Sequence, residues 1–549
     1  LILALFNINI ALSQNLPGPA DSIYIDPFKE QKKIPNKPPE RFIIPEVNNN
    51  IEIPNAAKNI NFTLRKLQIN GSTIFSEEEL KELYSKYIDK KISLEVVWMI
   101  AGRITSKYQS AGYFISKAYV PAQEISDGIV IINVVEGKIS DVQIDSESSN
   151  NYLIQQMIAE LKTNIPINAY KLESFMLRMN DLPGLEYRAL MEPMNDSGDG
   201  ATRLNLKPIE ESPSSKVSFD NYGSRFIGPF RTTLIYQDSF LPLHDTSFAI
   251  LASNPTSEVK YGSVQHDISI WPEWEVNLAA SHVVSEPGSL LTSSDLDSET
   301  SELSFGITWQ PIRQRARNMK LQLKFDGKNT NGDVLTSEPL TRDRVRVARL
   351  DINYDQADRF RGHNYFNINL NQGLDVFSSS QAGDLNLSRE EATPDFSFAS
   401  FYYIRQQILK NKFALISHIT GQIASDPLFS SEEFTYGGQS FGRAYDSSEI
   451  NGDDGLAASI EFRYLDVKTK NRSLQITPYS FYDIGKVWNQ DADDIDQSAA
   501  SIGFGGIFDY NDLSANLGIA WPLTKSVNTP LYGGNGKNPR YLMQISYEF

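Results

Sequence analysis

From Ser214 to the last residue, apolar and polar side chains alternate with a period of two in sixteen stretches of about 8–12 residues. They cover residues 215–223, 229–239, 246–253, 258–268, 272–283, 301–310, 318–327, 344–355, 363–373, 396–407, 412–422, 457–466, 473–483, 498–507, 513–520 and 541–549. In one, Phe366, Ile368 and Leu370 alternate with Asn367, Asn369 and Asn371; in another, Ala458, Ile460, Phe462 and Tyr464 alternate with Ser459, Glu461 and Arg463. Successive strand residues point to opposite faces, so each stretch predicts one apolar face for lipid and one polar face for a lumen. The connections alternate too. Short ones (240–245, 408–411, 467–472, 508–512) take turns with long ones (284–300, 374–395, 423–456, 521–540), the asymmetry of periplasmic turns and external loops. An even number of strands with that asymmetry predicts a closed, all-β, 16-stranded transmembrane barrel over 214–549.

Upstream the period switches between 2 and 3.6, in two modules that each read β-α-α-β-β. The first, residues 61–138, begins with an alternating strand from Phe62 to Ile69. Ser76 to Glu79 forms a capping box, and a second helix starts at Ser93 with Val96, Val97, Ile100, Ile104 and Tyr108 on one face. Strands from Tyr113 to Val120 and from Ile129 to Val135 close it. The second, residues 139–210, predicts a strand from Ile139 to Ile144, helices over 151–162 and 168–180, and strands from Leu185 to Met191 and Ala201 to Leu206. These α+β modules resemble POTRA domains, and the stretch Gly112 to Pro121 is similar to a G-Y-x-x-(S/A)-x-(A/V)-x-(V/L)-P pattern of that family. The resemblance implies a substrate-capture strand, carried here by Tyr113, Ile115, Lys117 and Tyr119.

Residues 1–13 read as the apolar end of a signal peptide, with maturation expected near Gln14. Residues 14–60 are a Pro-rich leader or linker. Residues 15–35 are the only candidate for a helix that could plug a pore, and Pro27 interrupts it. No apolar run reaches the roughly 18 residues of a transmembrane helix, so a membrane span has to be a closed barrel. There are 25 Tyr and 29 Phe, as aromatic girdles require. The formal charge of −17 argues against nucleic acid as a partner, and the absence of Cys removes disulfides, thiolate metal sites and thiol nucleophiles.

Little else points to chemistry. Gly438 to Gly442 matches the G-x-S-x-G elbow of serine hydrolases, yet no helical pattern follows Ser440 and no histidine sits in a triad motif. The five histidines lack metal-site spacing, and Asn451 to Gly455 lacks EF-hand spacing and reads as a solvated acidic loop. No enzyme activity, cofactor or metal is expected. The loop from Phe434 to Asp446 is more informative: it is rich in glycine and aromatics, including Gly437 and Gly438, and carries one cation, Arg443. A buried arginine needs a carboxylate partner, and Asp483 ends a strand whose alternation turns it inward with Gln475, Thr477 and Tyr479.

That pairing resembles the Omp85 superfamily, where an Arg of a V-R-G-Y/F loop meets an Asp of an F-x-D-x-G strand. Phe481 to Gly485 matches the second motif in full; Gly442 to Tyr445 keeps the Arg and the aromatic but has Ala444 in place of Gly. Alanine tolerates a positive φ poorly, which leaves the conformation at Ala444 open. The resemblance implies a loop folded into the lumen and held by Arg443, Tyr445 and Asp483, supported by Gly437, Gly438, Phe481 and Gly485. Phe549 ends an alternating strand and resembles the terminal signal for barrel assembly. Two POTRA-like modules before sixteen strands, with Phe219 to Gly223 similar to a D-N-x-G opening, resemble the two-partner secretion transporters of the filamentous-haemagglutinin and haemolysin type. The implied function is export of one large, unfolded, β-rich exoprotein across the outer membrane of a Gram-negative bacterium, with the modules in the periplasm. The implied partners are that exoprotein, outer-membrane lipids and the barrel-assembly machinery, with the chain a monomer. A barrel-assembly factor of the same superfamily and a passive porin are the alternatives.

Overall fold

The computed structural model describes residues 53–145, 151–184, 186–194, 200–209, 213–254, 258–334, 338–410, 412–465, 467, 473–490, 495–526 and 536–549. Residues 1–52, with the apolar N-terminal run and most of the Pro-rich leader, lie outside the described residues. Two compact units are present, one within residues 41–211 and one from 212 onward that excludes only 313–315.

The first module contains β1 (Asn61–Leu64), β2 (Lys66–Asn70), α1 (Glu77–Lys81), β3 (Lys90–Ser93), α2 (Leu94–Ser110), β4 (Lys117–Tyr119) and β5 (Ile129–Val135). β5 is central, parallel to β2 and antiparallel to β4. The Ser76–Glu79 capping box forms as the sequence predicts. Val97, Ile100, Ile104 and Tyr108 of α2 are fully buried against Leu64, Leu67, Val130 and Ile132.

Two expectations need correction here. The strand expected from Phe62 to Ile69 breaks at Arg65, and β1 pairs instead with β3, a strand the periodicity does not predict. The strand expected from Tyr113 to Val120 shrinks to β4. Gly112 turns the chain with φ +96, the Tyr113 ring lies 6.1 Å from that of Tyr108, and the Ser116 amide bonds back to the Tyr113 carbonyl at 3.1 Å. Tyr113 therefore packs on the core and Ile115 lies in the turn; only Lys117 and Tyr119 project from the sheet's edge strand.

The second module has β6 (Lys138–Ile144), α3 (Tyr152–Thr163), α4 (Ala169–Asp181), β7 (Glu186–Pro193) and β8 (Ala201–Ile209). Its sheet repeats the first one's plan, with β8 central, parallel to β6 and antiparallel to β7.

Sixteen antiparallel strands close the barrel: β9 (Ser214–Asp220), β10 (Phe230–Leu241), β11 (His244–Asn254), β12 (Val259–Trp271), β13 (Trp274–Ser285), β14 (Asp297–Gln314), β15 (Arg317–Val334), β16 (Glu338–Ala357), β17 (Gly362–Gly373), β18 (Ser397–Leu409), β19 (Phe413–Ala424), and, after the loop hairpin β20 (Phe434–Tyr436) and β21 (Ile450–Gly452), β22 (Asp454–Tyr464), β23 (Leu474–Trp488), β24 (Gln497–Tyr510), β25 (Leu513–Pro522) and β26 (Arg540–Glu548). Each coincides with one of the alternating stretches, and the faces divide as the alternation requires. Phe366, Ile368, Leu370, Ile460 and Phe462 are exposed outward, whereas Ser459, Glu461 and Arg463 are buried inward. Trp271, Trp274 and Trp309 stand exposed at the short-turn end, with Trp274 and Trp309 stacked at 5.7 Å, as in an interfacial girdle. Strands β14, β15 and β16 run to 18, 18 and 20 residues, longer than the alternation predicts, because polar residues continue the pairing beyond the apolar belt.

The barrel closes between β26 and β9 through five residue pairs. Past Asp220 the side chain of Asn221 takes over from the ladder: its Nδ2 donates to the Tyr541 carbonyl (2.7 Å) and its Oδ1 accepts from the Met543 amide (2.8 Å). At the other end Phe549 exchanges backbone hydrogen bonds with Ser215 (2.8 and 2.9 Å), and its ring stacks on Tyr547 at 5.7 Å.

Candidate functional site: a loop bonded to one wall of the lumen

Loop 425–453 leaves β19, folds back as the β20–β21 hairpin and returns to β22. Its aromatic residues drive that fold. Phe434, Tyr436, Phe441 and Tyr445 are buried in one cluster with Tyr479 and Phe481 of β23 and with Tyr222. The cluster needs glycine on the wall: a Cβ on Gly485 would stand 2.3 Å from the Tyr436 ring, so this glycine of the F-x-D-x-G motif is the flat surface on which Tyr436 lies. Gly437 and Gly438 follow β20 with φ +130 and +98.

Arg443 is brought to Asp483 at the centre of this packing. Its Nη2 is 2.9 Å from Asp483 Oδ1, its Nε is 3.1 Å from Oδ2, and its backbone N–H also donates to Oδ2 at 3.1 Å. Asp483 is 0 % exposed and accepts two more hydrogen bonds, from Ser459 Oγ (2.7 Å) and Ser501 Oγ (3.3 Å). A carboxylate taken this far from water is stable only when its lone pairs are filled and a cation balances it. The guanidinium plane caps the Phe481 ring, 3.4 Å from its centroid. The residues sequence reasoning missed are Glu461, which pairs with both Arg443 and Arg463, and the two serines. Their inward positions on β22 and β24 were the available signal. Two arginines and two carboxylates make the group neutral.

The alanine in the arginine motif is accommodated simply. Gly442 (φ +66) takes the left-handed position, the Tyr445 amide bonds to the Gly442 carbonyl at 2.8 Å, and Ala444 keeps a negative φ inside that turn. Tyr445 is fully buried, with its hydroxyl between the carbonyls of Ala500 (3.0 Å) and Lys525 (2.9 Å).

Three further ionic groups hold the same loop. Asp446 is paired with Arg225, which follows the Asp220–Gly223 stretch, and with Arg540 of β26 (2.8 Å). Arg540 also donates to the carbonyls of Asn221 and Gly223 (2.9 Å each), so the loop is bonded to the strands that close the barrel. On the far side, Glu432 meets Arg349 (2.8 Å) and Lys328 (3.6 Å), and Arg389 joins Glu433 and Asp453. Asp453 corrects the expectation of a solvated acidic loop: it is 0 % exposed, and accepts from the amides of Leu428 (2.7 Å) and Gln490 (2.8 Å) besides Arg389. Ser440 is followed by a turn that carries Arg443, and no helix starts there.

On the opposite side of the lumen, β12 to β15 border a cavity of about 440 Å³ lined by Gln265, Asp267, Asn277, Ser304, Gln322 and Lys324 among others. No cluster of metal-ligating side chains occurs among the described residues.

Comparison with known proteins agrees with this architecture. Residues 62–137 match the POTRA domain, ShlB-type, and residues 200–506 match the haemolysin secretion/activation protein ShlB/FhaC/HecB model. The chain is 23% identical over 498 residues to the heme/hemopexin transporter protein HuxB of Haemophilus influenzae (strain 86-028NP), covering 85% of each chain. It is 22% identical over 508 residues to the outer membrane transporter CdiB of Dickeya dadantii, covering 88% of each. The solved structure of CdiB from Escherichia coli shares the fold with a TM-score of 0.70 at 14% identity, over 99% of this chain and 95% of that one. A BamA structure from Haemophilus ducreyi, lacking POTRA domains 1–3, aligns with a TM-score of 0.53 at 12% identity, over 89% of this chain and 100% of that one. With more than half of its length matched by the family model, this chain belongs to the haemolysin secretion/activation family ShlB/FhaC/HecB, outer-membrane translocators of two-partner secretion.

Proposed function

We propose that the chain exports one large secreted exoprotein in extended form through the barrel lumen, past a loop that Arg443 and Asp483 hold against the β22–β26 wall. The observation that carries this reading is the asymmetry of the lumen: one wall buries the loop in aromatic and ionic contacts, and the other lines a polar cavity. An unfolded chain presents unpaired amides and mixed side chains, which a wall of hydroxyl, amide and charged groups solvates without trapping. Capture would begin on β4, whose outer edge is unpaired within its sheet, by addition of an extended segment. With only three residues, that edge selects weakly and releases readily. Phe549 would serve as the assembly signal, the chain would act as a monomer among outer-membrane lipids, and it would perform no catalysis. A barrel-assembly role is the second reading, motivated by the fold shared with BamA.

The test is secretion of the partner exoprotein, with Arg443→Ala, Asp483→Ala, the double variant and Arg443→Lys, each scored for surface exposure of the barrel. Both alanine variants should insert but secrete poorly. The double variant should do no worse than the sum, because neither charge is then stranded. Arg443→Lys should rescue little, since an ammonium cannot grip Asp483 bidentately. Normal secretion by both single variants would remove the Arg443–Asp483 role. Loss of unrelated barrels from the membrane on deleting this chain would favour assembly instead.

A further inference from the structure

The outward face of the β15–β16 hairpin changes character part-way along. Leu321, Leu323 and Phe325 of β15, with Leu350 and Ile352 of β16, continue the apolar belt. Beyond the Phe325–Ala348 pair the same face reads Gly327, Asn329, Asn331 and Asp333 against Arg346, Arg344 and Arg342. These arginines do not point into the lumen. The alternate residues Val345 and Val347 do, buried against Phe396 and Phe429. The three arginines thus stand in a row on one face, their Cα positions about 7 Å apart, just beyond the lipid-facing residues at the long-loop end of the barrel.

Only one is neutralised. Arg342 pairs with Asp333, whereas Arg344 and Arg346 rest on carbonyls and on the amide oxygens of Asn331 (2.9 Å) and Asn329 (3.0 Å). Among the described residues neither of these two forms an ion pair. The neighbouring loop supplies an apolar partner. Phe377 and Ser378 adopt left-handed backbone (φ +50 and +55), which a bulky residue avoids unless the structure enforces it. The result is a Phe377 side chain 75 % exposed, its ring 6.0 Å from the lipid-facing Phe325 and its carbonyl 3.3 Å from Arg346 Nη2.

We propose that Arg344 and Arg346, with Phe377 beneath them, form a docking site for the phosphorylated head group of an outer-leaflet glycolipid. The barrel lies in the outer membrane, so this face meets the outer leaflet at the level where acyl chains give way to head groups. Guanidinium forks match phosphate oxygens, and an exposed aromatic at that depth packs on acyl chains. Phosphate and acyl chain arrive together only in a lipid, and that selects the occupant over a free anion.

The full-length protein, purified in mild detergent, is incubated with lipopolysaccharide, with the same glycolipid after phosphatase treatment, and with inorganic phosphate, and bound glycolipid is measured by native mass spectrometry. Wild type should retain phosphorylated glycolipid, lose it on dephosphorylation, and show no competition from millimolar phosphate. Arg344→Gln/Arg346→Gln should lower retention by roughly ten-fold or more, from two lost charge contacts. Arg344→Lys/Arg346→Lys should keep most of it, and Phe377→Ser should weaken it with the charges intact. Heat-modifiable mobility confirms that each variant is folded. Equal retention of dephosphorylated glycolipid by wild type overturns the proposal without any variant, as does undiminished retention by a folded Gln/Gln protein.

Discussion

The two walls of the lumen are built from the same alternating strands and use them in opposite ways. On β22 to β25 the inward positions are Ser459, Glu461, Tyr479, Phe481, Asp483, Gly485 and Ser501, and the returning loop covers them completely. On β12 to β15 the inward positions are Gln265, Asp267, Asn277, Ser304 and Gln322, and they face a cavity. Both walls are polar by sequence. What separates them is aromatic and glycine content: rings need flat backbone to lie on, and the glycines at 485, 503 and 505 stand beneath Tyr436, Phe481 and Tyr479. Once the rings exclude water, every charge trapped with them has to be paired, which is why the ionic groups of the loop are so complete. A wall without rings keeps its water, and its polar groups need no fixed partners.

The largest effect that would break this contrast is expected at Asp446. Asp446→Ala strands Arg540, 5 % exposed, leaves Arg225, 8 % exposed, with Glu449 (3.2 Å) as its remaining carboxylate, and loosens the loop from the barrel closure. Removing one member of such a buried group costs about 3–5 kcal/mol. The folded, heat-modifiable band should therefore disappear at a markedly lower temperature than in wild type, and the loop should become open to surface protease. An unchanged transition would mean that water already reaches this group.

A smaller effect is expected at the glycine under Tyr436. Gly485→Ala places a methyl 2.3 Å from the ring and forces Tyr436 off the wall. Overpacking of this kind costs about 1–3 kcal/mol. In a Tyr436→Ala background the clash is gone, so the same substitution should then add only a few tenths. The thermal transitions of the two single variants and the double one measure this coupling; strict additivity would show that ring and glycine do not meet.

The barrel was legible because every strand carries its own period-two signal and lipid enforces it. The Arg443–Asp483 pair was legible for a different reason: its residues sit in motifs whose chemistry demands a partner. What stayed hidden depends on which strands the loop reaches. Glu461 and Arg463 read correctly as inward, but nothing local says that Glu461 bridges two arginines. Asp453 looked solvated because its neighbours are Asn, Gly and Asp, while its burial is decided by Arg389, 64 residues away. In the first module a local pattern misled instead. Tyr113 and Ile115 alternate like a strand, but Gly112 turns the chain so that Tyr113 packs near the ring of Tyr108 and Ile115 lies in the turn, and alternation over eight residues cannot tell a strand from a turn followed by a short one.

The smallest effect should come from applying the same operation to the open wall. Asn277 Oδ1 accepts from Thr308 Oγ1 (2.6 Å) and Gln322 Nε2 (2.9 Å), and its Nδ2 donates to Asp267 (2.6 Å). On paper this network is as well made as the one around Asp483. Gln322→Ala removes one of its members, but the freed Asn277 oxygen borders a cavity of about 440 Å³, room enough for water to replace the lost donor. The desolvation penalty that makes Asp446→Ala severe is therefore absent, and the loss should stay below about 1 kcal/mol, near the net worth of one exchangeable hydrogen bond. Thermal transition and exoprotein export should both match wild type closely. A fall comparable to that of Asp446→Ala would show that the second wall is as dry as the first, and that the route for the exported chain lies elsewhere in the barrel.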